Sequence, residues 1–496
     1  MSKSINEKQG GVAMKLSVAA QALQGRLQGN DVAFSSVSTD TRSLQAGDLF
    51  VALQGPNFDA HAFVAQAAAQ GAVAALVQHP VEASLPQLIV DDTRLALGRL
   101  ASLWRGQFSI PVVAVTGSNG KTTVKEMVAA ILRVRGAGLV TRGNFNNEIG
   151  VPLTLLRLQD RHPYAVVEMG ANHPGEINYL SRLTHPSVAI ITNVAPAHLE
   201  GFGDITGVAH AKGEIFNGLD DDGVAILNND DPRIGLWEVM CAQRSCLTFA
   251  IRNAADFRAE ELQINEQCGC SFIMRTPAGA ITVSLKLSGR HNVMNALAAS
   301  AAAHALGVSL EDIRQALEGM RPVSGRLELK EGIGNVRVID DTYNANPGSV
   351  RAALEVLAAA GAEGDTVLVL GDMGELGNAA QALHEQVGRQ AHVIGISRIY
   401  AVGEQARISA GAFGKGATHY NTQDELISAL CQDISDGVFA RSRLTVLVKG
   451  SRSMHMERVV EALTGDCGQH LGDDGPVLNG GGAPGKYHAP EKGQGG

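Results

Sequence analysis

The segment Val112–Thr123, with the sequence VVAVTGSNGKTT, constrains the fold of this 496-residue chain more than any other. A run typical of a buried strand precedes a glycine-rich turn, and helix-forming residues follow from Lys121 to about Arg133. The glycines allow successive backbone N–H groups to turn inward around a phosphate, and the helix start adds partial positive charge. Lys121 can bridge the terminal phosphates, and the Thr122 hydroxyl can ligate Mg²⁺. Although Val115 stands where the first glycine of the usual pattern is expected, the segment predicts a triphosphate-binding loop.

Apolar, strand-like runs alternate with helical stretches on both sides of this loop. Before it, Asp48–Leu53 and Gln87–Val90 read as strands, and Ala60–Gln70 reads as a helix. The runs predicted as later strands are Tyr164–Val167, Val188–Ile191, Val224–Leu227, Val336–Ile339, Thr366–Leu370, Ile399–Val402 and Leu444–Val448. The stretches predicted as later helices are Asn292–Leu306, Ser349–Ala360 and Asp424–Cys431. Such alternation is typical of mostly parallel sheets covered on both faces, so we predict an α/β protein.

The length and the breaks in this pattern predict three domains, because one domain takes about 100–200 residues. We expect a flexible leader 1–13, followed by a small N-terminal α/β domain 14–108. A central P-loop ATPase-like domain with a mostly parallel sheet would occupy 109–322. A C-terminal Rossmann-like α/β domain would occupy 323–464, because the alternation restarts after Pro322. The Gly-rich segment 465–496 is short of large apolar residues, and we expect it to be a disordered tail.

Composition excludes several classes of protein. The formal net charge is −9 and the chain has no long Lys/Arg cluster, which argues against nucleic-acid binding. No apolar run reaches the roughly 18 residues that a membrane span requires. The first residues are polar and lack the apolar core of a secretory signal. The six cysteines are spread through the chain and are expected to be reduced thiols, so we expect a cytoplasmic protein without membrane insertion.

Polar residues follow two of the predicted strands. Glu168 comes directly after the strand Tyr164–Val167, and Asn193 and His198 follow Val188–Ile191. A glutamate at a strand end is often only solvated, and a histidine there is more often a structural hydrogen-bonding residue than a ligand. However, the carboxyl ends of parallel strands meet at one edge of a sheet, where ligands bind. The two strand ends therefore indicate a Mg²⁺ site beside the phosphate loop.

Further motifs lie far apart in the chain. The string DDTYNANP occupies Asp340–Pro347 and GDMGELG occupies Gly371–Gly377, and both are far more specific than GKTT. The other strings are Val37–Arg42, Gly47–Gly55, Thr141–Gly150, Ala211–Phe216, Gly289–Ala296, Gly325–Glu328 and Val448–Arg452. From about residue 14 to residue 463 the chain thereby resembles the Mur ligase family. Within that family it is most similar to the members that add D-alanyl-D-alanine.

The resemblance implies an ATP-dependent ligase of cytoplasmic peptidoglycan precursor synthesis. Its substrates would be UDP-N-acetylmuramoyl-tripeptide, held partly by the N-terminal domain, and D-Ala-D-Ala. The carboxylate would first attack the γ-phosphorus of ATP, and the amine would then attack the acyl phosphate. The implied cofactors are ATP and two Mg²⁺ ions, one near Thr122 and Glu168 and one near His198 and a carbamylated Lys212. By its chemistry alone, Lys212 would be one surface lysine among many.

The same resemblance implies the individual site residues. The implied catalytic residues are Lys121, His198, Lys212 and Arg326. The implied ATP-binding residues are Gly117, Ser118, Asn119, Gly120, Lys121, Thr122, Thr123, Asn292, Asn295, Arg326 and Asp341. The implied metal ligands are Thr122, Glu168, His198 and Lys212. The implied substrate-binding residues are Ser38, Thr39, Asp40, Thr41, Arg42, Asn144, Asn146, Asn147, Glu148, Asn344, Asn346 and Lys449.

Two other interpretations stay open at this point. The chain could be another ligase of the same superfamily, such as an amino-acid-adding Mur ligase or a folylpolyglutamate synthase. It could also be a non-catalytic P-loop switch, which would bind and slowly hydrolyse ATP without an acceptor. The third residue of the peptide donor is open between meso-diaminopimelate and lysine. We expect a monomer in which the C-terminal domain closes over ATP through a hinge near Pro322.

Overall fold

A computed structural model covers the whole chain. The structure describes residues 12–465, except 197–198, 242, 265–268, 362–363 and 440–442. The leader up to residue 11 and the tail beyond residue 465 lie outside the described residues, as does His198. Val12 is buried, and its N–H donates to the carbonyl of Leu156 at 2.9 Å, so the described chain starts inside the fold.

The first domain is a small α/β unit. Its strands are β1 (Met14–Lys15), β2 (Arg26–Gln28), β3 (Ala33–Phe34), β4 (Ser36–Ser38), β5 (Asp48–Val51), β6 (Gln54–Gly55), β7 (Phe58–Asp59), β8 (Ala74–Val77) and β9 (Gln87–Ile89). Its helices are α1 (Leu16–Leu23), α2 (Val64–Ala69) and α3 (Thr93–Arg105). The main sheet of this described region has the order β2-β9-β8-β5-β4 and is parallel except at β2.

The middle of the chain forms a larger sheet covered by helices. Its strands are β10 (Val112–Thr116), β11 (Leu139–Val140), β12 (Ala165–Glu168), β13 (Val188–Ile191), β14 (Val224–Asn228), β15 (Ser245–Ala250), β16 (Phe257–Ile264), β17 (Cys270–Thr276) and β18 (Gly279–Leu285). Its helices are α4 (Lys121–Leu132), α5 (Gly150–Leu155), α6 (Glu176–Thr184), α7 (Leu199–Phe202), α8 (Ile205–Gly213), α9 (Ile234–Met240), α10 (Arg290–Ala305) and α11 (Leu310–Glu318).

Strand β10 lies inside this sheet and faces two cores. The sheet has the order β11-β12-β10-β13-β14-β15-β16-β17-β18, and only its last two pairings are antiparallel. Because side chains alternate along a strand, Val112 and Ala114 enter one core while Val113 and Val115 enter the other. The first core continues into the N-terminal domain, and α4, α10 and α11 cover the second. Burial on both faces explains why β10 is a continuous apolar run.

The C-terminal domain repeats this plan around a smaller sheet. Its strands are β19 (Glu328–Glu331), β20 (Arg337–Asp341), β21 (Asp365–Leu370), β22 (Arg398–Val402), β23 (Ala417–Tyr420) and β24 (Leu444–Lys449). Its helices are α12 (Pro347–Ala360), α13 (Ala380–Ile394), α14 (Ala406–Phe413), α15 (Gln423–Ser435) and α16 (Glu457–Thr464). The strand order is β19-β20-β24-β21-β22-β23, parallel except at β19.

The α/β class and the parallel-rich sheets predicted from the sequence are confirmed. Each predicted strand has a counterpart whose ends differ from the prediction by at most two residues, and Val188–Ile191 matches at both ends. The sequence analysis did not predict the chain of strands β15–β18 that widens the central sheet. In the part of the chain that the structure describes, no helix is both long and apolar enough to cross a membrane. The domain borders at 108, 322 and 464 stay predictions.

Candidate active site

The phosphate loop follows β10 directly and needs its glycines for two different reasons. Gly117 has a φ of +147°, and a Cβ there would lie 1.9 Å from the hydroxyl oxygen of Thr192. Gly120 has a φ of +80°, and a Cβ there would lie 2.4 Å from Oδ1 of Asn295. Both positions therefore combine a backbone conformation that disfavours side chains with a close approach of another element. Helix α4 begins at Lys121, as the sequence predicts.

The end of strand β13 holds this loop in place. The N–H of Ser118 donates to the carbonyl of Asn193 at 2.9 Å, and the N–H of Asn119 donates to the side-chain oxygen of Asn193 at 3.1 Å. The hydroxyl of Thr192 donates to the carbonyl of Asn119 at 2.6 Å. The Ser118 hydroxyl donates to the carbonyl of Ala195 at 3.2 Å. The loop shape is thus fixed by the protein itself, as phosphate recognition by backbone N–H groups requires.

Lys121 lies inside the loop and is half-buried. Its ammonium donates to the carbonyl of Gly117 at 2.7 Å. Burial lowers the pKa of Lys121, and the positive charge of Arg326 lowers it further, while Glu168 acts in the opposite direction. A cation that is destabilised in this way gains when an anion such as a phosphate approaches it.

Thr122 connects the loop to the predicted metal ligand and to the C-terminal domain. Its hydroxyl donates to Oε2 of Glu168 at 2.9 Å and accepts from Nη2 of Arg326 at 2.9 Å. The other carboxylate oxygen of Glu168 accepts from Nδ2 of Asn146 at 2.9 Å. The N–H of Glu168 donates to the hydroxyl of Thr141 at 3.0 Å. Two residues far apart in the sequence, Glu168 and Arg326, therefore meet at Thr122.

Lys212 is buried in helix α8, with 1% of its surface exposed. Burial and the positive charge of Lys121 lower the pKa of Lys212 to about 7. The ring centre of Phe202 lies 5.7 Å from its amine. Within the described part of the chain, no carboxylate forms an ion pair with Lys212. A substantial fraction of this amine is therefore neutral near pH 7 and able to react as a nucleophile.

The two asparagines predicted to bind ATP, Asn292 and Asn295, lie in the first turns of helix α10. The amide of Asn295 donates to Oδ1 of Asn292 at 3.1 Å, and the amide of Asn292 donates to the carbonyl of Ser288 at 2.8 Å. Asn295 also lies against Gly120, as the close approach described above shows. The structure therefore brings this pair directly beside the phosphate loop.

The C-terminal domain contributes the segment between β20 and α12. Asp341 forms a short ion pair with Lys449, whose ammonium also donates to the carbonyl of Asn344 at 2.9 Å. Burial raises the pKa of Asp341, and Lys449 opposes that shift. Asn346 caps α12 with its oxygen and donates from Nδ2 to Oδ1 of Asn119 at 2.7 Å. This segment therefore touches the phosphate loop through Asn346.

Arg326 reaches the loop from the start of the C-terminal domain. Its guanidinium lies 4.1 Å from the ring centre of Tyr343, which fits a cation–π contact. Its Nε is buried and has no hydrogen-bond partner among the residues that the structure describes. Since Nη2 contacts Thr122, the guanidinium is held at the loop with one donor unused. An unused, buried donor of a cation is suited to an incoming anion.

The predicted donor-binding residues form two separate groups. In the N-terminal domain, Asp40 caps the 3₁₀ turn Thr41–Ser43 and pairs with the exposed Arg42, while the Ser38 hydroxyl donates to the Asp40 carbonyl at 3.0 Å. Thr39 lies between Ser38 and Asp40 and is half-buried. In the central domain, the second group follows β11 beside the phosphate loop.

The central group lies in the segment that directly precedes helix α5. The N–H of Asn146 donates to the carbonyl of Asn144 at 2.7 Å. Oδ1 of Asn147 accepts from the N–H of Gly150 at 2.9 Å, and Glu148 pairs with Arg94 of helix α3. The segment is therefore fixed against both α3 and Glu168, through Glu148 and Asn146 respectively.

Comparison with known proteins decides the family. Profiles of the Mur ligase family match three stretches: the catalytic domain over residues 33–105, the middle domain over 115–303 and the glutamate ligase domain over 325–452. The UDP-N-acetylmuramoyl-tripeptide--D-alanyl-D-alanine ligase of Escherichia coli strain K12 is 47% identical, covering 92% of this chain and 100% of that protein. The chain belongs to the Mur ligase family. The corresponding ligase of Bacillus subtilis strain 168 is 37% identical over 90% of this chain and 97% of its own length.

Solved Mur ligase structures agree with this assignment. The MurF structure from Acinetobacter baumannii is 40% identical and superposes with a TM-score of 0.86, covering 91% of this chain and 98% of that one. MurF ligase from Thermotoga maritima, solved in complex with ADP, is 28% identical with a TM-score of 0.77, covering 86% and 96% of the two chains. The predicted resemblance to the Mur ligase family is thereby confirmed.

Two residues at this Mur ligase site were given no role in the sequence analysis. Thr192 holds the loop carbonyl of Asn119, and Thr141 holds the backbone of Glu168. The signal that would find them is a hydroxyl residue directly after a buried strand, next to a predicted site residue. The individual roles predicted for the site residues stay predictions, and the role of His198 concerns a position outside the described residues.

Proposed function

We propose that this chain is an ATP-dependent ligase that joins D-alanyl-D-alanine to UDP-N-acetylmuramoyl-tripeptide and releases ADP and phosphate. The observation that carries the proposal is the similarity to the Escherichia coli ligase of that name, which extends over the whole length of that protein. The geometry supports it because a phosphate loop, a buried carboxylate and an arginine from another domain meet at Thr122. We further propose that the chain acts in the cytoplasm as a monomer.

The first step activates an acid that cannot react with an amine in water. A carboxylate oxygen of the donor attacks the γ-phosphorus of ATP, the bond to the bridging oxygen breaks, and ADP leaves with that electron pair. Negative charge then spreads over the phosphoryl oxygens, where positioned cations stabilise it. Lys121 and Arg326 supply these cations from the central and the C-terminal domain. The γ-phosphate would approach the N–H groups of the loop Gly117–Thr123.

The second step forms the amide bond. The amine of D-Ala-D-Ala attacks the acyl carbon, a tetrahedral intermediate forms, and phosphate leaves with the electrons of the acyl–oxygen bond. Water competes for the same carbon, so the site must exclude it. Asn344 and Asn346 are the proposed residues of the acceptor side, and Lys449 holds their segment through Asp341 and the Asn344 carbonyl.

The donor set at the loop suits Mg²⁺. The Thr122 hydroxyl, the Glu168 carboxylate and the amide of Asn146 form one hydrogen-bonded group of hard, oxygen-bearing side chains, which is the ligand type that Mg²⁺ prefers. Thr122 and Glu168 would hold the ion. When bound, Mg²⁺ supplies positive charge to the phosphate oxygens. His198 and Lys212 are the proposed ligands of a second ion.

We propose in addition that Lys212 carries a CO₂ adduct. A carbamate forms only on a neutral amine, and burial lowers the pKa of Lys212 to about 7. The adduct would turn a buried cation into an anion and so make a metal ligand. Lys212→Ala should nearly abolish turnover, with partial rescue by added short carboxylates, and ¹³C-bicarbonate should give a carbamate NMR signal that Lys212→Met lacks. Near-wild-type turnover of Lys212→Ala would show that the adduct is not needed.

Domain closure accompanies the reaction in this proposal. Nucleotide contacts come from the central and the C-terminal domain, which are joined near Pro322, and Arg326 and Asn346 already touch the loop. Small-angle scattering with and without a nonhydrolysable ATP analogue measures the movement. We expect a smaller radius of gyration at saturation, and an unchanged radius would contradict closure.

The experiment that tests the proposed function measures phosphate release and product mass together. Purified protein is given Mg²⁺-ATP, the UDP-linked tripeptide donor and one acceptor at a time. D-Ala-D-Ala should stimulate phosphate release and yield the donor mass plus the dipeptide minus water. Single amino acids should do neither. Stimulation by a single amino acid would indicate another Mur-type or folylpolyglutamate-type ligase, and hydrolysis that ignores every acceptor would indicate a nucleotide switch.

A further inference from the structure

Two cysteines outside the proposed active site lie in contact with each other. The sulfur atoms of Cys241 and Cys246 are 3.0 Å apart. Cys241 follows helix α9 and is buried, whereas Cys246 lies on strand β15 and is exposed. Both thiols are free. The sequence analysis treated all six cysteines as unrelated reduced thiols, so this juxtaposition is a product of the fold.

Hydrogen bonds hold the described backbone at and near each of the two cysteines. The N–H of Cys241 donates to the carbonyl of Trp237 at 2.9 Å, and the N–H of Arg244 returns to the carbonyl of Cys241 at 2.8 Å. The side chain of Arg244 donates to the carbonyl of Leu219 at 3.1 Å. Cys246 is paired with Ala225 in the parallel sheet. The thiols therefore face each other because the turn and the strand hold them there.

We propose that Cys241 and Cys246 form a reversible disulfide, a modification site that reacts with low-molecular-weight disulfides. A disulfide needs about 2.05 Å between its sulfur atoms, so only a small side-chain movement separates the present contact from a bond. Cytosolic disulfides of this kind are usually transient and redox-responsive.

The exposure of the two thiols sets the order of the steps. The Cys246 thiolate attacks one sulfur of the small disulfide, whose sulfur–sulfur bond breaks, and one small thiol leaves. The sulfur of Cys241 then attacks Cys246 and expels the second small thiol. The two cysteines lose two protons and two electrons in total, and the small disulfide is reduced to two thiols. Burial, with the neighbouring Cys246, raises the pKa of Cys241 to about 12, so Cys241 stays protonated and does not start the exchange. Its attack on Cys246, which releases that proton, is favoured by the sulfur–sulfur contact of 3.0 Å.

The site lies beside the helix that carries Lys212. The indole N–H of Trp237, in helix α9, donates to the carbonyl of Ala209 in helix α8 at 3.0 Å. A disulfide would fasten the end of α9 to strand β15 at the point where α9 packs on α8. The proposal does not rest on the ligase activity, so either one can fail without the other.

Peptide mapping tests this directly, because Arg244 separates the two cysteines into different tryptic peptides, 234–244 and 245–252. The full chain is incubated with oxidised and reduced glutathione at several ratios, alkylated and digested without reductant. We expect the two peptides to be joined at oxidising ratios and to separate again with excess reduced glutathione. Cys246→Ser should lose the joined species completely, and Cys241→Ser should instead accumulate glutathione on Cys246.

Either of two results would overturn the proposal. One is wild-type protein in which glutathione remains on Cys246 while Cys241 is alkylated after unfolding. The other is wild-type protein in which both peptides stay free at every ratio. Circular dichroism of each variant before oxidation confirms its fold, and Cys246→Ser is the safer variant because its side chain is exposed.

Discussion

Lys212 in the central domain and Lys449 in the C-terminal domain are each 1% exposed, yet their charges have different surroundings. Lys449 pairs with Asp341 and donates to a backbone carbonyl. Lys212 has no carboxylate partner among the described residues, and burial lowers its pKa to about 7. Lys121 resembles Lys212 in that its pKa is lowered, and among the described residues its ammonium donates to the carbonyl of Gly117 and forms no ion pair.

The difference separates two uses of a buried cation. A buried charge that is paired with a counter-ion of the protein holds the surrounding segments in place. A buried charge without such a counter-ion is available to interact with a ligand. In the C-terminal domain, Lys449 holds the segment that leads to Asn346. In the central domain, Lys121 and Lys212 are the residues proposed to interact with phosphate and with CO₂, respectively. The C-terminal domain then reaches the loop through Arg326 and Asn346.

The largest effect is expected from removing Lys449, the cation that pairs with Asp341. Lys449→Met leaves the buried carboxylate of Asp341 without its cation, and breaking a buried pair in this way costs about 3–5 kcal/mol. We therefore expect a loss of that size in the free energy of unfolding, measured with urea. Lys212→Met is the matched control, because it removes an equally buried amine that forms no ion pair within the described part of the chain. An equal loss in both variants would refute the distinction between the two lysines.

The second effect concerns the loop itself. Lys121→Met should lower kcat/KM for ATP by about 10²–10³-fold, because a positioned charge at the developing phosphoryl anion is lost. The unfolding free energy should fall little, since Lys121 forms no ion pair with a carboxylate among the described residues. Steady-state kinetics with both substrates checks the rate, and the exposed Lys415→Met serves as the control. Wild-type kinetics in Lys121→Met would remove the loop from the mechanism.

The third effect tests the charge that comes from the C-terminal domain. Arg326→Met should lower kcat by about 10²-fold, and Arg326→Lys should recover part of that loss by keeping a positive charge. Binding of ADP should change much less than kcat, because the proposed role lies in the γ-phosphoryl transfer. Isothermal titration and turnover on the same samples separate the two. Equal losses in ADP binding and in kcat would assign Arg326 to nucleotide binding alone.

The fourth effect is a pH dependence of stability. The pKa of Lys212 is about 7 in the folded chain and near 10.5 in the unfolded chain, so the unfolded state binds one more proton between these values. The free energy of unfolding should therefore rise with pH by up to about 1.4 kcal/mol per pH unit in that window. Below pH 7 the contribution of Lys212 to the free energy of unfolding should no longer change with pH. In CO₂-free buffer, the difference in unfolding free energy between wild type and Lys212→Met should show this slope, because the variant lacks the titrating amine. Parallel pH curves for the two proteins would contradict the prediction.

The smallest effect concerns the contact between domains. Asn346→Ser keeps an oxygen that caps helix α12 but is too short to reach Asn119, so only the contact across the domains is lost. A neutral hydrogen bond contributes about 1 kcal/mol, which corresponds to roughly a fivefold rise in the KM for ATP. Asn119→Ala should give a similar change, and the double variant should add little. Fully additive losses would show that the two side chains do not act together.

Much of this arrangement follows from the sequence, since β10, β12 and β13 are buried on both faces and appear as apolar runs. Strands β16 to β18 were not predicted, because outward polar residues interrupt their apolar ones, as in Phe257–Ile264. The loop residues and Glu168 could be found from motifs. The contact between Asn119 and Asn346 could not, because these residues are 227 positions apart and only the packing of two domains joins them.

The central claim is that the donor carboxylate is phosphorylated at the loop before the amine attacks it. Labelling both carboxylate oxygens of the tripeptide donor with ¹⁸O and analysing the released phosphate by mass spectrometry tests this claim. One oxygen of the donor carboxylate stays bound to phosphorus when the amide bond forms. We therefore expect one phosphate with a single ¹⁸O for each molecule of peptide product. Peptide product accompanied by unlabelled phosphate would contradict the account.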